Sequence, residues 1–267
     1  GEDRFWWGSA AAAEQHDRDW LMASKPQGVD LTSLTGSHTT LVVAGPRARD
    51  LLAAVSPRTD WSRDAFPWLS VCDCCIGHAG ALAMSVSFSG ELAWELHIPN
   101  EQLCAVHEIL SEAGGAFGLG GFGLYATESM RIEKGYRHWK ADLITEFDPH
   151  ESGLGRFLNM DHDFPGRESL EEKAGQPPRK VFVTLEVHDD AAPAHAGDSL
   201  FDGRRVVGTV TSAAWGHRVG KNLAMAFVEP SFGAVGSALS IDILGRSIPA
   251  TVAEPCLYDP ANERLRG

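Results

Sequence analysis

Glu91, Glu95 and His97 recur at alternate positions in Glu91-Leu-Ala-Trp-Glu-Leu-His-Ile, with Leu92, Trp94, Leu96 and Ile98 between them. Period two is the signature of a half-buried strand, so two carboxylates and an imidazole share the face opposite the apolar set. That face is either solvated, as charged strand faces ordinarily are, or it turns one carboxylate into a pocket. A second candidate is Glu133. At about 100° per residue it falls in the middle of an apolar arc formed by Phe122, Tyr125, Ala126, Ser129, Met130 and Ile132, with Thr127 and Arg131 opposite. A carboxylate there must be paired, and a buried tie to a neighbouring loop accounts for it better than catalysis.

Two further patterns imitate known chemistry. Gly118-Leu-Gly-Gly-Phe-Gly matches G-x-G-x-x-G and opens a helix, with Asp142 further on. The dinucleotide fingerprint needs a strand immediately before it, and a helix over residues 101–113 stands there instead, so the glycines read as a helix-to-helix connection. Cys72-Asp-Cys-Cys has no second cysteine or histidine pair at zinc-like spacing nearby and sits in an alternating stretch, where cysteine serves as a small apolar residue. No metal site is expected. The run Tyr136-Arg-His-Trp-Lys suits either an acidic ligand tail or a packed loop with cation–π contacts.

These residues need elements to carry them. Ser89-Gly90 marks the turn of a hairpin over residues 85–96, and Gly135 stops the helix that starts at Gly123. Earlier in the chain, residues 3–8 read as a short aromatic strand and 10–22 as a helix. Residues 39–44 form a strand ended by Gly45-Pro46, and 47–55 a short helix. Two strands flank residues 77–80. Asn100 is placed as the N-cap of the 101–113 helix, whose inner positions are Leu103, Val106, His107 and Leu110. Residues 171–178, polar and Gly/Pro-containing, read as a linker. Six short strands follow, near 181–187, 199–201, 205–212, 223–228, 238–243 and 248–253, which predicts an antiparallel barrel or sandwich.

With 267 residues the chain is long enough for two domains. A net charge of −13 argues against nucleic acid or an anionic membrane surface as partner. No apolar run approaches a bilayer span, and there is no secretory signal pattern. Five cysteines without framework spacing fit a reducing compartment; a cytoplasmic location is expected, with the mitochondrial matrix as the alternative.

Five segments together carry a resemblance. Phe88-Ser-Gly-Glu-Leu-Ala-Trp-Glu-Leu, Ser129-Met-Arg-Ile-Glu-Lys-Gly-Tyr, Glu151-Ser-Gly-Leu-Gly-Arg-Phe, Asp163-Phe-Pro-Gly-Arg-Glu-Ser-Leu, and Gly208-Thr-Val-Thr-Ser with Gly220-Lys-Asn-Leu-Ala-Met-Ala-Phe-Val occur in order over nearly the whole chain. They resemble the glycine-cleavage T-protein (aminomethyltransferase) family. The wording around Arg131-Ile-Glu-Lys-Gly-Tyr-Arg-His-Trp is closest to the folate-binding C-terminal half of dimethylglycine and sarcosine dehydrogenases.

The resemblance implies an α+β fold: a GcvT-like folate-binding α/β region over 1–172, lacking the family's N-terminal part, then an antiparallel β-barrel over 179–267. It implies tetrahydrofolate as cofactor and a one-carbon transfer from an N-methyl amine-derived iminium. Glu95 occupies the position of the family's pterin carboxylate, and Glu91 that of a second glutamate read as structural. Phe88 stands where the aminomethyltransferases usually have Tyr, and Thr127 where they have Arg. Tyr125 and Trp215 are further contact candidates. The family's catalytic Asp lies in a segment before Asp3, so no residue here receives a catalytic role. No flavin domain is recognisable, and FAD is expected only in a fused or partner domain. The partners expected are folate and that N-terminal segment or flavoprotein, in cis or in trans. Two other readings are a non-catalytic folate-binding or assembly module and a scaffold whose pocket has decayed. Lys134-Gly-Tyr lacks the Cys of the Lys-Gly-Cys-Tyr signature of folate-binding repair proteins, which counts against the module.

Overall fold

The computed structural model describes residues 3–267. Residues 3–8 pair with no strand, contrary to expectation. Of their aromatic rings Trp6 packs, against His38 and His97, while Phe5 and Trp7 are exposed. A short 3-10 turn, Ala11–Ala13, runs into α1 (Glu14–Ser24), none of whose residues is buried.

A four-stranded antiparallel sheet follows. Its strands are β1 (His38–Ala44), β2 (Val71–Ile76), β3 (Ala79–Met84) and β4 (Ala93–Pro99), with α2 (Ala48–Val55) between β1 and β2. The order β1-β4-β3-β2 places β4 inside the sheet. Alternation on β4 buries Trp94, Leu96 and Ile98 completely. They join Leu51, Leu52, Trp61, Phe66 and the inner residues Val106 and Leu110 of α3 (Leu103–Gly114) in one core. Fully burying side chains of this size contributes about 1.5–3 kcal/mol each, which fixes the register of β4 and hence the direction of Glu95. Cys74 also points inward, and burial pushes its thiol up to about 12. The β3–β4 connection is wider than a two-residue turn. Pairing stops at Met84↔Glu95, and residues 85–92 form a loop with Gly90 at φ 78°. Asn100 caps no helix: Pro99 precedes a 3-10 turn there, and the Asn100 amide donates to Gly36 O (3.0 Å) while Asn100 Oδ1 accepts from Thr39 Oγ1 (2.8 Å). His107 is exposed rather than at the edge of the core.

The glycine-rich segment connects α3 to α4 (Leu124–Glu133), so no strand precedes it. The buried side of α4 departs from the expected arc. Ser129, Arg131, Ile132 and Glu133 are buried, whereas Tyr125 is 95% exposed and Phe122 is exposed. Ile132 packs with Leu223 and Met225 on the outside of the second unit, which turns the helix toward that surface. Part of the expected linker is helical: α5 (Arg167–Ala174) includes residues 171–174, and Arg167 Nε pairs with Glu171 Oε1 at 2.8 Å.

The second unit is a closed six-stranded antiparallel barrel, ordered β10-β5-β8-β7-β6-β9. Its strands are β5 (Val181–Val187), β6 (Ser199–Asp202), β7 (Arg205–Gly216), β8 (Lys221–Val228), β9 (Ala238–Ile243) and β10 (Arg246–Ala253). Closure removes the sheet edges that a sandwich would keep. Inward residues such as Leu185, Leu200, Val210, Ala226, Ile241 and Val252 fill it. A short helix, α6 (Glu263–Arg266), ends the chain.

Glu151 ties the approach to the barrel. Its carboxylate accepts from Arg179 N (2.9 Å), Arg179 Nε (3.1 Å) and Asp148 N (3.2 Å). Burial pushes its pKa up, but those hydrogen bonds and the Arg179 charge prevail and bring it to about 2 from 4.5. A depressed carboxylate contributes stability that is complete above its unfolded pKa and is lost as pH falls through the folded one. The stability gap between wild type and Glu151→Gln is therefore expected to be constant at neutral pH and to shrink between about pH 4.5 and 2. Thermal midpoints across that range check it; a gap that widens with acid refutes it.

Candidate functional site

Glu95 leaves the sheet face opposite the core. Its neighbours across the ladder are Val42 on β1 and Met84 on β3, so the carboxylate stands on an apolar floor. Val42 is half exposed and the Glu95 side chain is 37% exposed. Among the described residues its one ionic neighbour is His97, with Nε2 3.5 Å from Oε2.

Phe88 lies in the 85–92 loop, 40% exposed. Its ring runs nearly parallel to Tyr136, with centroids 6.4 Å and planes 15° apart, and His138 stands at the same distance, tilted by 53°. Thr127 Oγ1 donates back to Gly123 O (3.3 Å), a contact within its own helix. Trp215, on β7, is joined to α4 through its carbonyl, which accepts from Ser129 Oγ at 2.6 Å. The structure thus joins Phe88 to the segment after α4, and Trp215 to α4 itself. Among the described residues no hydrogen bond, ion pair or ring contact links Glu95 to Phe88, Tyr125, Thr127 or Trp215.

A clamp holds the 85–92 loop in place. Arg218, in the turn between β7 and β8, donates from Nη1 to Glu91 Oε1 (2.7 Å), from Nη2 to Met130 O (2.6 Å), and from Nε to Glu133 Oε2. Its backbone N and that of Val219 donate to Glu133 Oε1 at 2.6 and 3.2 Å. The guanidinium stacks 3.7 Å from the Tyr258 ring, whose hydroxyl donates to Glu91 Oε1 at 2.6 Å. Burial opposes the Arg218 charge, and the bonds to Glu133 and Glu91 outweigh it and raise its pKa. Burial and the Glu91 carboxylate both push the Tyr258 hydroxyl up. Below the clamp, Lys134 Nζ reaches Asp259 Oδ2 at 3.1 Å, and its side chain passes so close under Gly90 that a Cβ there would stand 2.8 Å away. Glu133 is therefore the buried tie to a neighbouring loop that its helical position suggested, and Glu91, read as structural from the resemblance, shares its cation. Arg218 and Tyr258 were missed. The available signal was the carboxylate in the α4 arc, which demands a cation without saying where it lies in the chain.

The cation-rich run after α4 is a packed loop. Arg137 stacks 4.7 Å from Phe182 and donates to Ser152 O at 2.6 Å. The surface clefts among the described residues include one of about 410 Å³ lined by Arg63, Asp64, Trp68 and Arg266, and one of about 320 Å³ around Glu151 and Arg179. Neither is lined by Glu95, Phe88, Tyr125, Thr127 or Trp215.

The four-stranded sheet, the helix α4 packed on the barrel and the closed six-stranded barrel form a two-unit α+β protein. Residues 1–162 match the GCVT N-terminal domain, and residues 180–259 the glycine cleavage T-protein C-terminal barrel domain, so the chain belongs to the glycine-cleavage T-protein family. It is similar to mitochondrial dimethylglycine dehydrogenase of Mus musculus, 32% identical over 97% of this chain and 30% of that protein. It is also similar to mitochondrial sarcosine dehydrogenase of Mus musculus, 34% identical over 85% of this chain and 26% of that protein. The chain therefore spans less than a third of either relative. The glycine cleavage system aminomethyltransferase T from Bartonella henselae shares the fold, with a TM-score of 0.79 at 21% identity over 95% of this chain and 67% of that one.

Proposed function

We propose that this chain is the tetrahydrofolate-binding portion of a one-carbon transfer enzyme of the dimethylglycine/sarcosine dehydrogenase type. The observation that carries this reading is Glu95: a carboxylate on an apolar floor, aimed off the open sheet face, with no lysine or arginine among the described residues capping it. A reduced pterin presents an N–H and an amino group side by side, and two carboxylate oxygens meet them as a bidentate, charge-assisted pair. Val42 and Met84 would flank the ring system. Bound tetrahydrofolate would supply the amine nitrogens that accept the one-carbon unit. The chain's own contribution is then binding and orientation, worth a large effective concentration without covalent chemistry. On this reading the oxidation of the N-methyl amine, and the flavin it requires, belong to another domain of a longer polypeptide or to a partner subunit.

Anaerobic calorimetry with tetrahydrofolate, wild type beside Glu95→Ala, tests the reading. Saturable binding that the substitution weakens about tenfold or more, some 1.4 kcal/mol, is the expected result for losing a charged hydrogen-bond pair. Equal affinity in the two proteins removes Glu95 from the site.

A further inference from the structure

On the open face of the first sheet, one polar atom is neither solvated nor well paired. His97 follows Glu95 by two residues on β4, so both side chains leave the same face. Its Nε2 is buried and makes no hydrogen bond of good geometry among the described residues, and Glu95 Oε2 stands 3.5 Å away. On the other side of the ring, Nδ1 lies 3.1 Å from Thr40 Oγ1, directly across on β1. Trp6 lies over the imidazole with centroids 5.5 Å apart, and the same indole meets His38 edge-on at 5.8 Å. Opposite His97 on β3 is Leu82, which is apolar. Glu95 is thus the carboxylate that faces the buried nitrogen.

We propose that His97, held by Thr40 and roofed by Trp6, is a positioning residue that aims the Glu95 carboxylate at the paired N–H donors of its ligand. This rests on Glu95 being the ligand's acceptor. With the Thr40 hydroxyl donating to Nδ1, the ring proton sits on Nε2 and faces the carboxylate. An ionised carboxylate has about four lone-pair sites, so Glu95 can accept two ligand donors and the imidazole together. Hydrogen bonds of this kind are often long in the free protein and tighten when ligand arrives, which suits a 3.5 Å gap. The indole keeps water from the contact, and exclusion of water strengthens it.

Two measurements test this. The first uses ¹⁵N-labelled, ligand-free protein and reads the His97 ring nitrogens by NMR. The Nε2–H tautomer is expected in wild type and its loss in Thr40→Val; an Nδ1–H tautomer in wild type overturns the proposal. The second titrates tetrahydrofolate into wild type, His97→Gln and His97→Phe, each confirmed folded by its thermal midpoint. Phe keeps the packing under Trp6 but has no donor, and Gln places an amide N–H where Nε2 stood. Binding about tenfold weaker in His97→Phe, with His97→Gln within about threefold of wild type, is the result expected for a partner that orients a ligating group. Phe binding like wild type, or Gln as weak as Phe, overturns the positioning role while leaving Glu95 intact. A wild-type chain that does not bind tetrahydrofolate overturns the reading of Glu95 and this proposal with it.

Discussion

Asp142→Ala is expected to lower the stability of the chain by about 3–5 kcal/mol, read as a drop in the urea midpoint. Asp142 and Arg131 have side chains with no exposed surface and pair through Arg131 Nη1. The aspartate also accepts from His138 N (2.8 Å), Ser212 Oγ (2.7 Å) and Thr211 Oγ1 (2.5 Å). Thr211 reaches it from the point where the β7–β8 register shifts, a bulge that re-aims one side chain out of the ladder. Without the aspartate, Arg131 Nη1 keeps the Tyr136 carbonyl (2.9 Å) beside Met225 Sδ (3.2 Å), and Nη2 keeps one partly exposed carboxylate, Glu128. Losing one partner of a buried pair is costly because the remaining charge is left with too little compensation, here Glu128 alone, while replacing both with apolar residues is often tolerated. The double variant Arg131→Leu/Asp142→Leu should therefore be more stable than Asp142→Ala. A single variant within about 1 kcal/mol of wild type would show that the pair is not the tie between α4 and the barrel.

That pair also marks the limit of what the sequence discloses. Strand alternation predicted the inward set Trp94, Leu96 and Ile98, and with it the outward Glu95, because burial on one face forces period two. The six barrel strands were equally legible, since apolar runs bounded by turn residues leave little else for the chain to do. The buried side of α4 was not. Helical periodicity favoured Phe122 and Tyr125 and sent Arg131 outward, yet Arg131 is buried because Asp142, Thr211 and Ser212 from two other segments converge beside it. A period within ten residues carries no record of a partner located in the barrel. Glu133 shows the opposite case: its cost of burial announced that a partner exists, and only the fold identified it as Arg218.

Arg218→Met should cost about 2–4 kcal/mol and free the loop that carries Phe88. The guanidinium serves three acceptors on two segments at once: Glu133 and the Met130 carbonyl on α4, and Glu91 at the end of the loop. Its removal leaves Glu133, fully buried, with two backbone N–H donors and no cation. Glu91 retains the Tyr258 hydroxyl, so its side chain stays anchored by one bond; adding Tyr258→Phe to the same variant removes that bond too. Arg218→Lys separates charge from geometry. A lysine brings the same charge as a point, but it cannot present a planar fork to three acceptors, so it should recover less than half of the lost stability. Hydrogen exchange of the Gly90 and Glu91 amides, which donate to Ser87 Oγ and Ser89 Oγ, reads the loop directly. Faster exchange there in Arg218→Met, faster still in the double variant, and unchanged exchange in the barrel strands is the expected order. Uniform acceleration over the whole chain would mean that the clamp supports global stability alone. Exchange confined to the loop would place Arg218 in control of the segment that delivers Phe88 beside Tyr136 and leads into Glu95.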